Sequence, residues 1–179
     1  MRKIILIGGD LASGKSTYST YLSSRFNLTS INNDTLKEIA GDVIHVETRE
    51  ENKKLSVLAF NYIKYFLTQE KGNLIIESNF KEHEIDEIKE LTKNDAVLSI
   101  RLIGDYSFLH ERFLSRLNNN RHYVHKSLDL SSLEDFKKVQ DELRKVEYPS
   151  KTITFEVSKE VFPQDDIYLN KEIEIFLKN

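Results

Sequence analysis

The chain has 179 residues, of which 39% are hydrophobic and 31% are charged, a balance typical of one globular domain. It contains no cysteine, which excludes disulfides, thiolate metal sites and a cysteine nucleophile. The net charge of −3 provides no global positive field for nucleic acid. The apolar run after the basic start is too short for a signal peptide, and no stretch approaches the roughly 20 apolar residues of a membrane span. We therefore expect a cytoplasmic protein without a membrane partner.

Apolar runs and helical periodicities alternate through the first half of the chain. The run Ile4–Ile7 predicts a strand buried on both faces, and a helix is predicted from Lys15 to about Arg25. A short strand, a short helix that Gly41 should end, and a long helix follow, at Leu28–Ile31, Asp34–Ala40 and Arg49–Lys71. Apolar residues recur at helical spacing in the long helix and predict one buried face: Leu55, Leu58, Ala59, Tyr62, Ile63, Phe66 and Leu67.

The second half of the chain continues this alternation. Two strands, Leu74–Ile76 ending at Glu77 and Ala96–Ile103, enclose a polar helix, Glu82–Leu91. The next helix presents Tyr106, Leu109, Phe113 and Leu117 on one side, and a loop runs from Asn118 to about Asp129. A helix, an alternating strand and a closing helix complete the chain, at Ser131–Glu147, Lys151–Ser158 and from about Asp165. The pattern predicts one three-layer α/β domain over residues 1–179, with a mainly parallel five-stranded sheet and helices on both faces.

The segment Gly9–Ser16 matches G-x-x-x-x-G-K-[ST] at every fixed position, between a predicted strand and a predicted helix. Glycines at its ends permit close backbone approach, and successive amides would cradle a phosphate group. Lys15 is expected to reach the β- and γ-phosphates, and the Ser16 hydroxyl to hold Mg²⁺. The motif predicts a site for a magnesium–nucleoside triphosphate, built by Gly9, Asp10, Leu11, Ala12, Ser13, Gly14, Lys15, Ser16 and Thr17.

Polar residues follow two further strands at the sheet edge where parallel α/β folds bind ligands. Asp34 is a candidate general base for an acceptor hydroxyl, or a water-mediated magnesium contact, and its alternative role is to cap a helix. Glu77 stands where a Walker B carboxylate would reach the magnesium shell through water, unless it lies in solvent. Asn79 and Phe80 are candidate acceptor contacts, or members of an ordinary turn.

Basic residues after the fourth strand indicate a lid at approximately residues 116–130. Arg112 and Arg116 lie four apart on one helix face, and Arg121 follows as a candidate substrate contact. Transferring phosphoryl groups need fixed positive charge, and arginine-bearing lids supply it while they exclude water. The alternative is a solvated basic face. His122 and His125 would suit a metal by their spacing, but the sequence offers no third ligand nearby.

The N-terminal half resembles the small P-loop kinases that include phage-type polynucleotide 5′-kinases, chloramphenicol phosphotransferase and zeta toxins. The matching segments of that half are Lys3–Ile7, Gly14–Thr17 and Ile31–Asp34 with Lys37 after it. Later in the chain, Ile75–Phe80, Arg112–Arg116 and Glu147–Pro149 are similar to the generic order of Walker B strand, lid arginines and closing helix in these kinases. The resemblance implies a P-loop NTPase fold, ATP as the donor, and Asp34 as the base. Lys37 stands where polynucleotide kinases place a partner arginine, a departure that loses bidentate contact and weighs against nucleic acid as the substrate.

Three functions follow in order of preference. The first is transfer of the γ-phosphoryl group to a small hydroxyl-bearing acceptor, and the second is a 5′-hydroxyl nucleic-acid kinase. The third is a nucleotide-dependent ATPase or switch. A guanine-reading N-K-x-D segment is absent, because Asn52-Lys53 and Asn170-Lys171 lack the aspartate.

Overall fold

Five parallel strands form the single sheet of the computed structural model, which describes residues 1–118, 122–125 and 130–179. Their order across the sheet is β2-β3-β1-β4-β5, so β1 is central and is hydrogen-bonded to β3 and β4. The strands are β1 Lys3–Gly9, β2 Thr29–Asn32, β3 Leu74–Glu77, β4 Ala96–Gly104 and β5 Thr152–Val157. The predicted parallel five-stranded sheet is confirmed.

Helices cover both faces of this sheet. They are α1 Lys15–Phe26, α2 Asn33–Val43, α3 Arg49–Gln69, α4 Glu82–Leu91, α5 Tyr106–Asn118, α6 Leu133–Lys145 and α7 Ile167–Lys178, with 3₁₀ turns at Tyr123–His125 and Pro163–Asp165. One core joins the sheet to α1, α5, α6 and α7, and a second joins it to α3 and α4. Burial of each large apolar side chain stabilises the folded state by about 1.5–3 kcal/mol relative to leaving it exposed. No helix in the described part of the chain is both long and apolar enough to cross a membrane.

The long helix α3 buries a face that differs in part from the predicted one. Leu55, Ala59, Ile63 and Leu67 are buried as expected, but Tyr62 is 47% exposed. A row at four-residue spacing advances about 40° around a helix at each step. The buried face therefore drifts away from Tyr62 along the helix, and Phe60 becomes part of the core instead.

Gly41 does not end α2, which continues to Val43. The glycine is instead a point of close approach, because a Cβ atom there would lie 2.6 Å from Cγ1 of Val124. Gly41 thus lets the segment 122–125 pack against α2. This contact is long-range, so the local sequence does not predict it.

Candidate active site

The loop between β1 and α1 has a backbone that requires glycine at both ends. Gly9 has φ +118°, and a Cβ atom there would collide with the backbone of Leu102 on β4. Gly14 has φ +92° and caps the start of α1. Ala12 between them also has a positive φ, of 61°. Residues with positive φ among residues with negative φ turn the backbone amides toward one concave surface at the positive end of α1. Such a surface suits a phosphate group.

Helix α6 holds this loop from behind. The Asp10 carboxylate is fully buried, and Nε of Arg144 donates to its Oδ1 at 3.0 Å. The Gly104 amide donates to Oδ2 of Asp10 at 3.1 Å. Gln140 accepts a hydrogen bond from the Leu11 amide at 2.9 Å. The Asp10 side chain and the Leu11 amide therefore hold the loop in place, whereas the sequence had placed both residues among the nucleotide contacts.

The side chain of Lys15 is buried within the loop. Its Nζ donates to the carbonyl oxygen of Asp10 at 2.5 Å and to that of Gly9 at 3.4 Å. Burial lowers the pKa of Lys15, and the nearby carboxylates of Glu77 and Asp34 oppose that shift. The ammonium group is held at the loop by carbonyl oxygens that a phosphate group would replace as its partners.

Ser16, Glu77 and Asn32 form a small polar cluster beside the loop. The Ser16 hydroxyl donates to Oε2 of Glu77 at 3.0 Å, and the Asn32 amide donates to the same oxygen. Glu77 is 5% exposed, so the alternative that it lies in solvent is wrong. Burial raises the pKa of Glu77, while Lys15 opposes that change.

The donor set of this cluster fits Mg²⁺. A hydroxyl and a carboxylate are the oxygen ligands that this ion takes, and the rest of its shell is commonly phosphate and water. No group of three His, Cys, Asp or Glu residues that could hold a metal is found among the described residues. The arrangement therefore suits an ion that arrives with a phosphate ligand.

Asp34 lies in the first turn of α2 and does not cap that helix. The cap is Asn32, whose Oδ1 accepts a hydrogen bond from the Thr35 amide at 2.9 Å. The capping alternative for Asp34 is therefore wrong. Its carboxylate is half-buried, and it acts electrostatically on both Lys15 and Glu77.

Two cavities meet at Asp34. The loop cavity, of about 40 Å³, is bounded by the phosphate loop, Glu77 and Arg116. The large cavity, of about 390 Å³, is lined by residues of α2, α3, α6 and the segment 122–125. The residues that line both cavities are Leu11, Asp34, Asn79 and Phe113. Lys37 lines the large cavity as well.

Phe80 lies elsewhere. Its ring is 1% exposed and packs edge-to-face on Tyr148, with 5.9 Å between the ring centroids. Phe80 lines neither of the two cavities, so its predicted contact with an acceptor is wrong. The apolar side chain of Phe80 packs in the core after β3, whereas Asn79 beside it lines both cavities.

Both predicted lid arginines of α5 lie beside the phosphate loop. Arg116 lines the loop cavity. Nη2 of Arg112 is 3.8 Å from the place that a Cβ atom on Gly14 would take. Nη1 of Arg112 is buried without a hydrogen-bond partner in the described structure, and burial lowers the pKa of this side chain. Arg112 therefore has an unused donor at the loop. Arg121 lies outside the described residues.

The described part of the predicted lid docks on α2. Nε2 of His125 is 2.8 Å from Oε1 of Glu38, and Nε2 of His122 is 3.0 Å from Oδ1 of Asp42. The Tyr123 hydroxyl donates to the carbonyl oxygen of Gly41 at 2.5 Å. Each histidine therefore pairs with a carboxylate of α2.

Sheet order, phosphate loop and covering helices together define the fold of the small P-loop kinases. The chain is similar to a candidate kinase from Chloroflexus aurantiacus, with a TM-score of 0.79, 22% identity, and coverage of 99% of this chain and 97% of the other. It is also similar to a gluconokinase from Sinorhizobium meliloti, with a TM-score of 0.62, 18% identity, and coverage of 99% of this chain and 94% of the other. For a shikimate kinase from Acinetobacter baumannii in complex with shikimate, the TM-score is 0.59 and the identity 15%, with 100% of this chain and 94% of the other covered.

No family model and no curated protein matches the sequence. At these identities the structural likeness establishes the fold. The narrower resemblance to polynucleotide kinases, chloramphenicol phosphotransferase and zeta toxins stays a prediction.

Proposed function

We propose that the protein transfers the γ-phosphoryl group of ATP, bound with Mg²⁺, to a hydroxyl group of a small molecule. The observation that carries this proposal is the position of Asp34 on the wall shared by the loop cavity and the large cavity. A donor phosphate and an acceptor hydroxyl would meet there. The larger volume, about 390 Å³, lies within the range of small-molecule pockets. Structural neighbours named gluconokinase and shikimate kinase support a small acceptor.

The roles of the residues follow from their positions. The loop amides and Lys15 bind the β- and γ-phosphates, and Arg112 and Arg116 offset the charge that spreads over the transferring oxygens. Asp34 accepts the proton of the acceptor hydroxyl.

Magnesium would lie beside the loop. Ser16 would hold the ion directly and Glu77 would hold it through water, and the bound ion would neutralise charge on the phosphates. The hydrogen bond between these two side chains supports this assignment, because it brings two of the oxygen ligands together beside the loop.

A turnover screen tests the proposal. Purified protein with ATP and Mg²⁺ is given a pooled metabolite library in one arm and 5′-hydroxyl oligonucleotides in the other, and ADP and phosphorylated products are measured by mass spectrometry. We expect hydroxylated small molecules to stimulate ADP release and to become phosphorylated. Lys15→Ala should abolish transfer, whereas Lys89→Ala, at an exposed surface lysine, should not. Efficient labelling of oligonucleotides, or ATP hydrolysis that no acceptor stimulates, would overturn the proposal.

A further inference from the structure

The large cavity carries an uneven charge. Four of its lining side chains are cationic and two are acidic: Lys37, Arg49, Lys53 and Lys81 against Asp34 and Glu84. Lys81 pairs with Glu84, with 3.7 Å between Nζ and Oε1. Asp34 faces the loop cavity as well. The other lining cations are Lys37 on α2 and Arg49 and Lys53 at the start of α3, whereas Glu50 and Glu51 in the first turn of α3 do not line the cavity.

The position of the two cations on α3 is fixed by the way this helix begins. The Thr48 hydroxyl accepts a hydrogen bond from the Glu51 amide, and the Glu51 carboxylate accepts one from the Thr48 amide. This capping box starts the helix at Arg49 and places Lys53 one turn later on the same side. Neither cation makes an ion pair or a hydrogen bond with any residue that the structure describes.

Two polar atoms in the wall of the large cavity lack partners. The side-chain carbonyl oxygens of Asn33 and Asn79 are buried and accept no hydrogen bond in the described structure. Both residues line the large cavity, and Asn79 also lines the loop cavity. A buried acceptor without a donor is costly, about 1–3 kcal/mol. Rotation of either amide toward the cavity would let a ligand with several hydroxyl groups donate to its oxygen.

We propose that the phosphoryl acceptor is an anionic polyol. Its reacting hydroxyl lies at Asp34, further hydroxyls donate to Asn33 and Asn79, and a carboxylate or phosphate group faces Arg49 and Lys53. This inference rests on the proposed function, because it names the substrate class for the same site. The chemistry that recognises the anion is shared by carboxylates and phosphates, so both are compared in the test.

The test measures binding without turnover. Calorimetry is carried out with saturating ADP and Mg²⁺, which occupy the loop, and uses gluconate and glucose 6-phosphate as anionic probes and glucose as the neutral probe. We expect at least one anionic probe to bind about tenfold or more tightly than glucose, a preference of about 1.4 kcal/mol. Comparison of the two anions decides between carboxylate and phosphate. Equal binding of glucose, or no binding of either anion, overturns the inference.

Variants of α3 locate the preference. Arg49→Met and Lys53→Met each remove one charge from an exposed position, so the fold should not be affected. Each should weaken the preferred anion several-fold and leave glucose and ADP unchanged. Lys54→Met is the matched control, because Lys54 is exposed on the same helix but does not line the cavity. An equal effect of Lys54→Met contradicts the assignment. Absence of ADP binding or of any phosphoryl transfer would instead count against the proposed function, so the two failures are distinguishable.

Discussion

In the proposed function, the carboxylate of Asp34 is the group on which transfer to an acceptor depends. Because Asn32 caps α2, Asp34 has no part in capping that helix. We expect Asp34→Asn to lower kcat by roughly 10²–10⁴-fold and to leave ATP affinity nearly unchanged, since the amide cannot accept the hydroxyl proton. Steady-state kinetics and nucleotide titration measure both quantities. Asp86→Asn, at an exposed position on α4, is the control, and turnover that survives in Asp34→Asn would remove the base from the mechanism.

Burial of Glu77 lowers the stability of the fold, whereas its carboxylate has a proposed role in magnesium binding. Its buried carboxylate has a raised pKa, so the folded protein binds a proton more tightly than the unfolded chain does. Above the ordinary value of 4.5, the ionised form costs stability, and this contribution to the free energy of unfolding falls as pH rises through the raised pKa. A carboxylate at this buried position is consistent with the proposed magnesium site.

We expect Glu77→Gln to make the nucleotide-free protein as stable as wild type or more stable at neutral pH. The neutral amide retains an oxygen that can accept from Ser16 and Asn32 but is cheaper to bury. The part of the pH slope that Glu77 contributes should vanish from urea denaturation curves. The Mg²⁺ concentration for half-maximal turnover should rise about tenfold or more. Clear destabilisation with unchanged Mg²⁺ dependence would show that Glu77 is a structural residue.

The sequence indicates the phosphate loop directly but not the contacts that hold it, because the two depend on different distances along the chain. Gly9, Gly14, Lys15 and Ser16 are placed by short-range geometry, because a strand, a tight loop and a helix follow one another within eight positions. The roles of Asp10 and Leu11 depend on α6, about 130 positions further along the chain. Gln140 and Arg144 are four apart on one helix face, but nothing in the local pattern says what that face contacts.

At the scale of elements, α6 acts as a brace for the phosphate loop. Arg144 compensates a carboxylate that is fully buried, and its Nη2 also donates to the carbonyl oxygen of Gly104 at 2.7 Å. Removal of one partner from a buried pair costs about 3–5 kcal/mol, because the other charge is left without compensation. The loop geometry is thus coupled to the position of a distant helix.

We expect Arg144→Met to lower the free energy of unfolding by about 3 kcal/mol, measured by urea denaturation. Lys145→Met removes only an exposed pair with Glu142 and should cost less than about 1 kcal/mol. In the double variant with Asp10→Asn the buried charge is absent, so part of the lost stability should return. A double variant as unstable as Arg144→Met with Asp10 intact would mean that packing, not charge, accounts for the loss.

Element boundaries show the same division between local and distant causes. The predicted bounds Glu82–Leu91 for α4 are confirmed, and the start of this helix is fixed locally, because the Glu84 carboxylate accepts from the Lys81 amide at 3.0 Å. Gly41 misled the prediction for α2, because its lack of a side chain serves a contact with Val124, over 80 positions away. The order of the strands in the sheet depends on which strands pair by hydrogen bonds over long distances along the chain. The alternation of strands and helices in the sequence does not determine that order.

At the scale of the whole molecule, the segment 122–125 connects the proposed acceptor site to α2 and α3. Val124 is buried in a small cluster with Ala40, Val46 and Leu55, and its carbonyl oxygen accepts from the Asn52 amide. Val124 also lines the large cavity. Docking of this segment therefore closes one wall of the proposed acceptor site, whereas α6 holds the phosphate loop and lines another wall through Val139 and Leu143.

This arrangement gives a test of the architecture. Val124→Ala removes two methylene-sized groups, worth about 1.6 kcal/mol at ~0.8 kcal/mol each, so docking should weaken roughly tenfold. We expect KM for the acceptor to rise by up to that factor while the Kd for ADP changes less than about twofold. Val57→Ala, on the exposed side of α3, should change neither constant. If Val124→Ala weakened ADP as much as the acceptor, the two halves of the site would be one cooperative unit, and the wall at α2 and α3 would not belong to the acceptor alone.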